Sequence, residues 1–288
     1  MSFDSISFCC ILRNEEKYIH QLIKSLLEAS KQINRVEFIF IDDFSNDKTL
    51  EILKEYREND SRFQIYINSS KGKVNGTNLA FSKAKFDFVK FIDGDDLITE
   101  NLANLPSNFN CLYHDYLEMY GANKEYKVVG KGFSQNARLF REEFRSIPKA
   151  MFFFKKSFLE SYFPIPAELP FEDLWINFAA AEDMTLKYLP KALYIYRQHD
   201  NQYYGSLSNF NSDKQIRMAT RFKKYYEYLD NNKHPFSFNP KKKIKFFYKA
   251  LLKEGLINHL FLIISPRLFI KSIIYSFPKL TRLIWKKI

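Results

Sequence analysis

Residues 36–56 read VEFIFIDDFSNDKTLEILKEY and contain a complete strand–turn–helix unit. The apolar run VEFIFID is typical of a buried strand, and the polar stretch DFSND after it is typical of a turn. Leu50, Leu53 and Tyr56 then recur at the spacing of one helix face. The unit is one βα step, and it predicts that the chain is built as an α/β fold.

The same alternation continues on both sides of this unit. The neighbouring elements that we predict are a strand at SFCCIL (7–12), a helix from about Glu15, a strand at FQIYI (63–67), a short helix within KGKVNGTNLAFSKAK (71–85) and a strand at FDFVKFI (86–92). Strands and helices that alternate at this spacing form βαβ units. We therefore expect a Rossmann-like, mostly parallel central sheet flanked by helices.

The pattern is less regular after Leu97. Strands are predicted at CLYHDYLEMY (111–120), YKVVGKGF (126–133), SIPKAMFFFKK (146–156) and KYLPKALYIYRQH (187–199), and a helix at FEDLWINFAAAEDM (171–184). Residues 210–232 are polar with helical tendency, and NNKHPFSFNP (231–240) has the composition of a linker. This organisation predicts a domain over residues 1–205, a helical and linker segment over 206–239 and a C-terminal tail over 240–288.

Composition and charge restrict the class of protein. The chain has 288 residues, of which 46% are hydrophobic and 27% charged. This balance is typical of a soluble globular protein with one large domain and an appendage, or with two small domains. The net charge of +11 lies wholly in residues 240–288, which carry twelve Lys or Arg and a single acid, Glu254. The sequence therefore predicts a neutral domain with a cationic tail.

Cysteine usage and the N-terminus indicate the compartment. Cys9, Cys10 and Cys111 form no C-x-x-C pair, which argues against a zinc knuckle or a disulfide framework. A reducing cytoplasm is the natural setting for such a chain. The opening MSFDSIS lacks the basic stretch and apolar core of a signal peptide. We expect a cytoplasmic protein.

Two acidic turns follow predicted strands, IDDFSND (41–47) and FIDGDD (91–96). Ligands of open α/β sheets bind at the carboxyl ends of strands, so both turns belong to the edge where a site is expected. Three carboxylates crowded into FIDGDD repel one another unless a cation lies between them. The alternatives are a divalent metal site and a solvated turn. In IDDFSND, Ser45 or Asp47 is also placed to cap the helix that follows.

Six segments, in this order, resemble the landmarks of the family-2 glycosyltransferases. They are ILRNEEKYI (11–19), IDDFSNDKT (41–49), KGKVNGTN (71–78), FIDGDD (91–96), PFEDLW (170–175) and YLPKALYIYRQHDNQ (188–202). The resemblance covers residues 5–205. It implies a GT-A fold and the transfer of a sugar from a nucleotide-sugar donor, and six ordered landmarks are far more specific than any one of them.

Several positions depart from the family pattern. They are Ile11 in place of a Pro, Arg13 in place of an aromatic residue, Phe44 in place of the Gly of the second landmark and Thr77 in place of an Arg. The Arg that commonly precedes Asn78 contacts the donor diphosphate, and Lys73 is suited to replace it. No departure removes an indispensable chemical group.

The resemblance and the chemistry of the leaving group together imply a metal site. A nucleoside diphosphate develops negative charge as the sugar C1–O bond breaks, and a divalent cation opposite it stabilises that charge. Mn²⁺ or Mg²⁺ prefers hard oxygen ligands and needs one or two carboxylates from the protein. Asp95 and Asp96 are the candidate ligands. His199 completes the metal shell in some family members, while a lone His in a polar turn can equally be exposed and idle.

The resemblance also assigns residues to the nucleotide-sugar. Asp43 resembles the residue that accepts the uracil imide N–H, with helix capping as the alternative. Asp93 is placed to face the ribose, and Gly94 to let the backbone approach the nucleotide. Arg197 is suited to the diphosphate, although it can equally form a surface ion pair. The remaining residues implied for donor binding are Asn14, Glu15, Lys73 and Asn78.

The acceptor hydroxyl must lose its proton as it attacks C1, which requires a positioned base. Asp173 in PFEDLW resembles the general base of the family, and Glu172 is the alternate. A second acidic pair, Glu182 and Asp183, fits the motif less well. Taken alone, the segment is equally consistent with the start of an ordinary amphipathic helix.

The tail, residues 240–288, mixes bulky apolar residues with Lys and Arg throughout. Its longest uncharged run, residues 255–266, is too short to span a bilayer. The composition favours an amphipathic helix that lies on an anionic membrane surface. Packing on the protein itself or on a second copy remains an alternative, and nucleic-acid binding is disfavoured because such arms rarely carry runs as apolar as LFLII.

These observations predict one function and two rivals. The prediction is a metal-dependent, inverting hexosyl- or N-acetylhexosaminyltransferase that moves a sugar from a UDP-sugar to a glycan or lipid-linked acceptor in the assembly of cell-surface polysaccharide or lipopolysaccharide. It would act on the inner face of the cytoplasmic membrane. A nucleotidyltransferase is disfavoured because ILRNEE is not a Gly-rich basic loop. The other rival is a membrane-surface binding protein with a degenerate nucleotide-sugar site.

Overall fold

Within the part of the chain described by a computed structural model, nine strands form one sheet. The structure describes residues 3–99, 102, 104–120, 125–129, 147–199, 212–241 and 244–245. Its strands are β1 (Ser5–Leu12), β2 (Arg35–Asp42), β3 (Phe63–Ile67), β4 (Phe88–Asp93), β5 (Leu97–Ile98), β6 (Cys111–Tyr120), β7 (Glu125–Val129), β8 (Phe152–Lys155) and β9 (Lys187–Gln198). Its helices are α1 (Ile19–Ser30), α2 (Thr49–Asn59), α3 (Lys73–Lys83), α4 (Lys156–Leu159), α5 (Asp173–Glu182) and α6 (Ser212–Asn231).

The first half of the sheet is parallel, with strand order β3-β2-β1-β4. β1 lies at its centre, where Cys9 is opposite Ile39 of β2 and Phe91 of β4. All eight residues of β1 are buried, which is the pattern of a parallel strand covered on both faces. α1, α2 and α3 connect the consecutive strands, so the predicted strand–helix alternation is confirmed.

The second half of the sheet is mixed, with strand order β4-β8-β6-β9-β5 and with β7 paired to β6. β8 is antiparallel to β4 and β6, whereas β6 and β9 are parallel, with register shifts on both sides of Asp115. SIPKAMFFFKK is a strand only from Phe152, because a short 3₁₀ turn over Lys149–Met151 follows Pro148. The predicted α/β fold class is confirmed. Residues 130–133 of the predicted strand YKVVGKGF lie outside the described residues.

The helices and cysteines form the core that the apolar pattern indicates. Of the apolar residues Ile19, Leu22, Ile23, Leu26 and Leu27, whose spacing predicts one helix face, α1 buries all but Leu27, which is partly exposed. Cys9, Cys10 and Cys111 are buried free thiols. Burial raises the pKa of all three thiols above the ordinary value, so these cysteines are packing residues with little nucleophilic character.

A lysine lies inside this core. Lys90, in the middle of β4, is fully buried, and its Nζ donates to the carbonyl oxygen of Ala150 at 2.6 Å. Nζ also lies 2.9 Å from His114 Nε2 and 4.0 Å from the ring centroid of Phe153. His114 Nδ1 is 2.6 Å from the carbonyl oxygen of Asp115, so Nδ1 carries the proton and Nε2 accepts from Lys90. Burial lowers the pKa of Lys90 well below its ordinary value.

The chain divides into two compact units. The first is Met1–His199 with Lys233–Asn239, and the second is Asp200–Asn232 with Pro240–Ile288. Residues 233–239, which we call the strap, therefore belong to the first unit. The predicted domain boundaries at residues 205 and 239 stay predictions.

The strap packs on the first unit through an aromatic cluster. Phe236 is 6% exposed, and its ring stacks on Tyr162 at a centroid distance of 5.9 Å. It meets the edges of Trp175 at 4.7 Å and Phe178 at 5.3 Å, both on α5. Since α5 begins at Asp173, the strap holds the helix that carries the predicted base.

The described part of the second unit is α6 and the first residues of the tail. α6 buries Ala219, Phe222, Tyr225 and Leu229, which recur at helical spacing. The predicted amphipathic helix of the tail lies almost wholly outside the described residues. Among the residues that are described, no helix combines the length and apolarity needed to cross a bilayer.

Candidate active site

The candidate site lies at the carboxyl edge of the parallel half-sheet. β1 is the strand at which the chain order reverses, with β2 on one side and β4 on the other. The segments that leave these strands carry Asn14, Asp43 and Asp93–Asp96. Such a switch point is where open α/β sheets bind ligands.

Hydrogen bonds cross-link the loops after β1 and β2. Asn14 adopts a left-handed conformation with φ 59°, and its backbone N–H donates to Ser45 Oγ at 3.0 Å. Its side-chain Oδ1 accepts from the Asn46 N–H at 2.9 Å. The Glu15 N–H donates to Thr49 Oγ1 at 2.7 Å. Asn14 and Ser45 therefore fix the first two turns against each other, and Ser45 does not cap α2.

Asp43 directs its hydrogen bonds away from α2. Its side chain is buried, and Oδ1 accepts from Asn68 Nδ2 at 2.7 Å and from the Gly72 N–H at 2.8 Å. Among the described residues, Oδ2 accepts no hydrogen bond. Capping is therefore not what Asp43 does in this fold. Phe44, the next residue, has φ 62°, and its side chain is 47% exposed.

Asp93 joins two lysines at the end of β4. Its Oδ1 lies 2.9 Å from Lys73 Nζ and 3.1 Å from Lys149 Nζ. Burial alone would raise the pKa of Asp93, but the ammonium groups of Lys149 and Lys73 outweigh it and hold the pKa well below the ordinary value. Asp93 is therefore ionised, and it forms ion pairs with both Lys73 and the buried Lys149.

The acidic pair Glu172 and Asp173 surrounds Lys149. Lys149 Nζ forms an ion pair with Glu172 Oε1 at 2.8 Å, and both side chains are 1% exposed. The backbone N–H of Lys149 donates to Asp173 Oδ1 at 2.9 Å. Among the described residues, Asp173 Oδ2 accepts no hydrogen bond. One residue thus holds both members of the predicted catalytic pair.

The environments of the two carboxyls differ. Burial would raise the pKa of Glu172, but Lys149 and Lys73 lower it below the ordinary value. For Asp173, burial raises the pKa, and the charges of Glu172 and Asp93 add to this against the opposing effect of Lys149. The raised pKa favours Asp173 over Glu172 as the candidate general base, because a base works best when its pKa lies closer to the working pH.

Asp95 and His199 meet at the outer side of the acidic turn. Asp95 Oδ2 lies 3.0 Å from His199 Nε2, and both side chains remain about a fifth exposed, at 18% and 19%. The His199 ring packs on Tyr18 at a centroid distance of 5.1 Å. Its Nδ1 is buried and has no hydrogen-bond partner among the described residues. A carboxylate beside an imidazole suits Mn²⁺, so these two residues fit a divalent cation.

The described residues contain no group of three or more His, Cys, Asp or Glu placed to hold a metal ion. A cation at Asp95 and His199 would therefore need further oxygen ligands from a diphosphate and water, which is how Mg²⁺ and Mn²⁺ are commonly held in phosphate sites.

Asp96 is engaged differently from Asp95. It is 1% exposed, its Oδ2 accepts from the Tyr194 hydroxyl at 2.7 Å, and its Oδ1 accepts from the Arg197 N–H at 2.8 Å. Burial raises the pKa of Asp96 well above the ordinary value, and the charges of Asp95 and Asp93 add to the rise. In this structure Asp96 ties β9 to the acidic turn, and its predicted role as a metal ligand stays a prediction.

Arg197 is held within the same turn. Its Nε donates to the Asp95 carbonyl oxygen at 2.8 Å, and a terminal guanidinium nitrogen donates to Gln21 Oε1 at 2.9 Å. The guanidinium lies 4.6 Å from the ring centroid of Tyr18. Because Arg197 is 9% exposed, it is a buried organiser of the turn rather than a surface ion-pair partner.

Gly94 allows close packing between the acidic turn and the first loop. A Cβ at Gly94 would lie 2.7 Å from both Leu12 Cβ and Glu15 Cγ, closer than such atoms approach. The structure therefore requires glycine here for its own chain packing. Glu15 lies close to the carboxylates of the acidic turn. Burial, together with the negative charge of Asp95, raises the pKa of Glu15 to about 8.

Asn78 and the second acidic pair make contacts away from these carboxylates. Asn78 Nδ2 donates to the Ile165 carbonyl oxygen at 2.7 Å, and its Oδ1 accepts from the Ile165 N–H at 2.8 Å. Asp183 accepts from the Cys111 N–H at 2.9 Å and from Thr185. The Ser237 N–H of the strap donates to Glu182. These side chains fasten loops and elements to one another.

Lys149 is the residue that sequence reasoning missed. It lies in SIPKAMFFFKK, which the apolar pattern identifies only as a strand. The available signal was a Lys with apolar residues on both sides in IPKAMFFF (147–154). Its three carboxylate partners lie at distant positions, Asp93 in β4 and Glu172–Asp173 at α5.

Comparison with known proteins provides independent findings. Residues 7–106 match the family model described as Glycosyl transferase family 2. An uncharacterised glycosyltransferase of Haemophilus influenzae is 32% identical over 124 residues, 43% of this chain and 48% of that protein. The poly(ribitol-phosphate) beta-N-acetylglucosaminyltransferase TarS of Staphylococcus aureus is 32% identical over 134 residues, 45% of this chain and 22% of that protein. The chain thus spans less than half the length of these curated relatives.

Solved structures share the fold over most of the chain. S. aureus TarS 1–349 in complex with UDP has a TM-score of 0.56 at 17% identity, covering 91% of this chain and 76% of that one. Mannosyltransferase PcManGT from Pyrobaculum calidifontis, in complex with GDP-Man and Mn²⁺, has a TM-score of 0.56 at 15% identity, covering 98% and 88%. At such identities the likeness is one of fold.

Proposed function

We propose that this chain, whose residues 7–106 match the glycosyl transferase family 2 model and whose fold is shared with solved glycosyltransferase structures, transfers a sugar from a UDP-sugar to an acceptor hydroxyl with inversion at C1. The observation that carries the proposal is a continuous series of contacts across the carboxyl edge of the sheet. It runs from Asp43 through Gly72 and the adjoining Lys73 to Asp93, and from there through Lys149 to Asp173. A donor-binding carboxylate and a candidate base thus belong to one connected site.

The donor half of the site is the part around Asp43 and Asp93. Asp43 Oδ2 is suited to accept the uracil imide N–H, because Asn68 and Gly72 occupy only Oδ1. Asp93 is suited to accept from a ribose hydroxyl, and Lys73, whose side chain is 55% exposed, to reach the diphosphate. Complexes of the structural neighbours with UDP and UDP-GlcNAc support a nucleotide-sugar donor.

A divalent cation, Mn²⁺ or Mg²⁺, is part of the proposal. Asp95 and His199 would hold it, and the PcManGT complex with GDP-Man and Mn²⁺ supports divalent metal use in this fold. When bound, the cation stabilises the negative charge of the departing diphosphate. Tyr18 and Arg197 keep His199 and Asp95 in place for this task.

The acceptor half of the site is Asp173. The acceptor oxygen attacks the donor C1 from the face opposite the nucleotide, and Asp173 Oδ2 accepts the hydroxyl proton. The new C1–O bond forms as the C1–O bond to phosphate breaks, and the nucleoside diphosphate leaves with that electron pair. Glu172, bound to Lys149, stays ionised and does not compete for the proton. One displacement with one base gives inversion.

The acceptor and location are proposed from the relatives and the tail. TarS and TarP are named poly(ribitol-phosphate) beta-N-acetylglucosaminyltransferases, which favours N-acetylhexosamine transfer in cell-envelope glycan assembly, such as capsule or lipopolysaccharide. The cationic, apolar segment 240–288 favours a peripheral position on the inner face of the cytoplasmic membrane, close to a lipid-linked acceptor. Flotation with anionic and neutral vesicles, at low and high salt, tests this; equal recovery in all four conditions would contradict it.

Nucleotide binding is the first test of the site. Thermal shifts are measured with UDP, GDP and CDP, each with and without Mn²⁺, on the wild type, Asp95→Ala and Asp87→Ala. Asp87 is the matched control, because it lies just before β4, at the opposite end of the strand from Asp93, and is 70% exposed. We expect a UDP shift that requires both Mn²⁺ and Asp95. A shift that is equal in all three proteins would contradict the site.

Turnover is the second test. Release of UDP from UDP-sugars in the presence of acceptor is compared between the wild type, Asp173→Asn and Asp87→Asn. Asn at position 173 retains an oxygen to accept the Lys149 N–H, so the variant removes the base and keeps its anchor. We expect a loss of about 10²–10⁴-fold. Unchanged turnover would refute Asp173 as the base, and a product that retains the donor's anomeric configuration in proton NMR would refute inversion.

A further inference from the structure

Lys149 is a buried cation that touches both halves of the site. It is 1% exposed, and its Nζ lies 3.1 Å from Asp93 Oδ1 and 2.8 Å from Glu172 Oε1. Burying an ammonium group is costly unless carboxylates surround it. Lys149 is held by two carboxylates from distant parts of the chain, and this arrangement suggests a role besides the stability of the fold.

Two bonds of Lys149 determine how Asp173 is presented. The backbone N–H donates to Asp173 Oδ1 at 2.9 Å, which leaves Oδ2 as the oxygen able to take a proton. The side chain holds Glu172, the residue immediately before Asp173 and the N-cap of α5. The first turn of the base-bearing helix is therefore attached to Lys149 at two adjacent residues.

Lys149 also sets the charge around the base. The charged groups that face Asp173 are Glu172 on its own helix, Asp93 from β4 and Lys149 from the 3₁₀ turn, and Lys73 of α3 reaches the cluster through Asp93. Lys73 is more than half exposed, so water screens its charge more strongly. Without Lys149, the negative charges of Asp93, Glu172 and Asp173 would be offset mainly by the exposed Lys73.

We propose that Lys149 is a positioning residue for the transfer reaction, which keeps Asp173 ionised and oriented by neutralising Asp93 and Glu172 beside it. The inference rests on the proposed function and extends it to a residue outside the acidic landmarks. The competing explanation is an ion pair that serves folding only. The two differ in what they predict for the pH dependence of turnover.

The test compares Lys149→Met, Glu172→Gln and the double variant Lys149→Met/Glu172→Gln with the wild type. Met retains the length and apolar body of the side chain without the charge. Lys156→Met is the matched control, because Lys156 forms a similar ion pair with Glu160 at the surface, at 2.9 Å. The readouts are the pH profile of kcat/KM, separate kcat and KM values for the donor, and thermal stability.

The positioning role predicts movement of the acid limb of the profile. In Lys149→Met, the midpoint of the acid limb should move to higher pH by at least about one unit, which lowers kcat/KM about tenfold at pH values below the midpoint. The decrease in kcat should be larger than the change in KM for the donor. Glu172→Gln should lower the limb, because it removes a negative charge beside Asp173. The double variant should return the limb towards the wild-type position, and Lys156→Met should leave it unmoved.

Each contrary result has a definite meaning. A limb that stays at the wild-type position in folded Lys149→Met would overturn the inference and leave an ion pair for folding. If Lys149→Met does not fold, an unmoved limb in Glu172→Gln and in the double variant overturns it equally. Wild-type turnover with unmoved limbs sinks this inference alone. An absence of wild-type turnover with any donor sinks the proposed function, and this inference with it.

Discussion

Lys90 provides a prediction whose size follows from the structure. The substitution is Lys90→Met, which keeps the side-chain length in the middle of β4 and removes the amine. Lys90 has two hydrogen-bond acceptors, the Ala150 carbonyl and His114 Nε2, and these match the two N–H groups of a neutral amine. Its other neighbours are the rings of Phe153 and Tyr194. Burial without an ion-pair partner among the described residues lowers the pKa of Lys90 well below the ordinary value.

The magnitude follows from linkage. In the unfolded chain the pKa of Lys90 is about 10.4, and in the folded protein it is well below that. Between these values the unfolded state binds one more proton than the folded state, so the free energy of unfolding rises with pH. The slope for one proton is about 1.4 kcal/mol per pH unit. Between about pH 8 and 9.5 the wild type should therefore gain stability relative to Lys90→Met as the pH rises, with a limiting slope of about 1.4 kcal/mol per pH unit.

The assay is denaturant unfolding of both proteins across this pH range, with the result expressed as the difference between them. All other titrating groups cancel in that difference, and His114, whose pKa is also lowered by burial and by Lys90, titrates below the range. A difference that does not change with pH would refute the reasoning, since it would mean that Lys90 is charged inside the core. A change of the opposite sign would refute it equally.

Three further predictions concern packing and the division of roles in the acidic turn. Phe236→Ala should lower the free energy of unfolding of the first unit by about 3–5 kcal/mol, because the ring fills the cluster beneath the strap, and denaturant unfolding that shows less than about 1 kcal/mol would contradict that packing. Gly94→Ala should cost about 1–3 kcal/mol by overpacking against Leu12, and a neutral effect on thermal stability would show that the two loops separate easily. Asp96→Ala should lower the free energy of unfolding by about 1–3 kcal/mol for each partner left unpaired, the Tyr194 hydroxyl and the Arg197 N–H. Asp95→Ala should change the free energy of unfolding little and should abolish the Mn²⁺ dependence of the UDP thermal shift. Equal losses of stability in the two variants would contradict the different roles of these neighbours.

Much of the fold followed from local pattern. The strand–turn–helix unit at residues 36–56 appears as β2 and α2, and FQIYI is β3 to the residue. These elements are readable because apolar periodicity is a local property of the chain. SIPKAMFFFKK differed, since Pro148 and the 3₁₀ turn after it shorten the strand to Phe152–Lys155. A proline's local effect competes with the apolar pattern, and the pattern alone does not show which prevails.

The candidate site was less readable, because its roles depend on contacts between distant segments. Asp95 and Asp96 are neighbours with the same side chain, yet one faces His199 and the other is enclosed by Tyr194 and the Arg197 N–H. Asn78, Asn14 and Gly94 carry structural contacts that motif spacing does not reveal. The same holds for Lys149, whose partners come from two other parts of the chain.

The strap changes how this chain can be divided. The chain leaves the first unit after His199, returns to it for residues 233–239 and leaves again at Pro240. The strap is therefore a part of the first unit that is flanked in the chain by residues of the second unit, and it packs on α5 through Phe236. A truncated chain that ends after the last sheet strand would expose Trp175 and Phe178, so a shortened fragment of the first unit must retain the chain through residue 239.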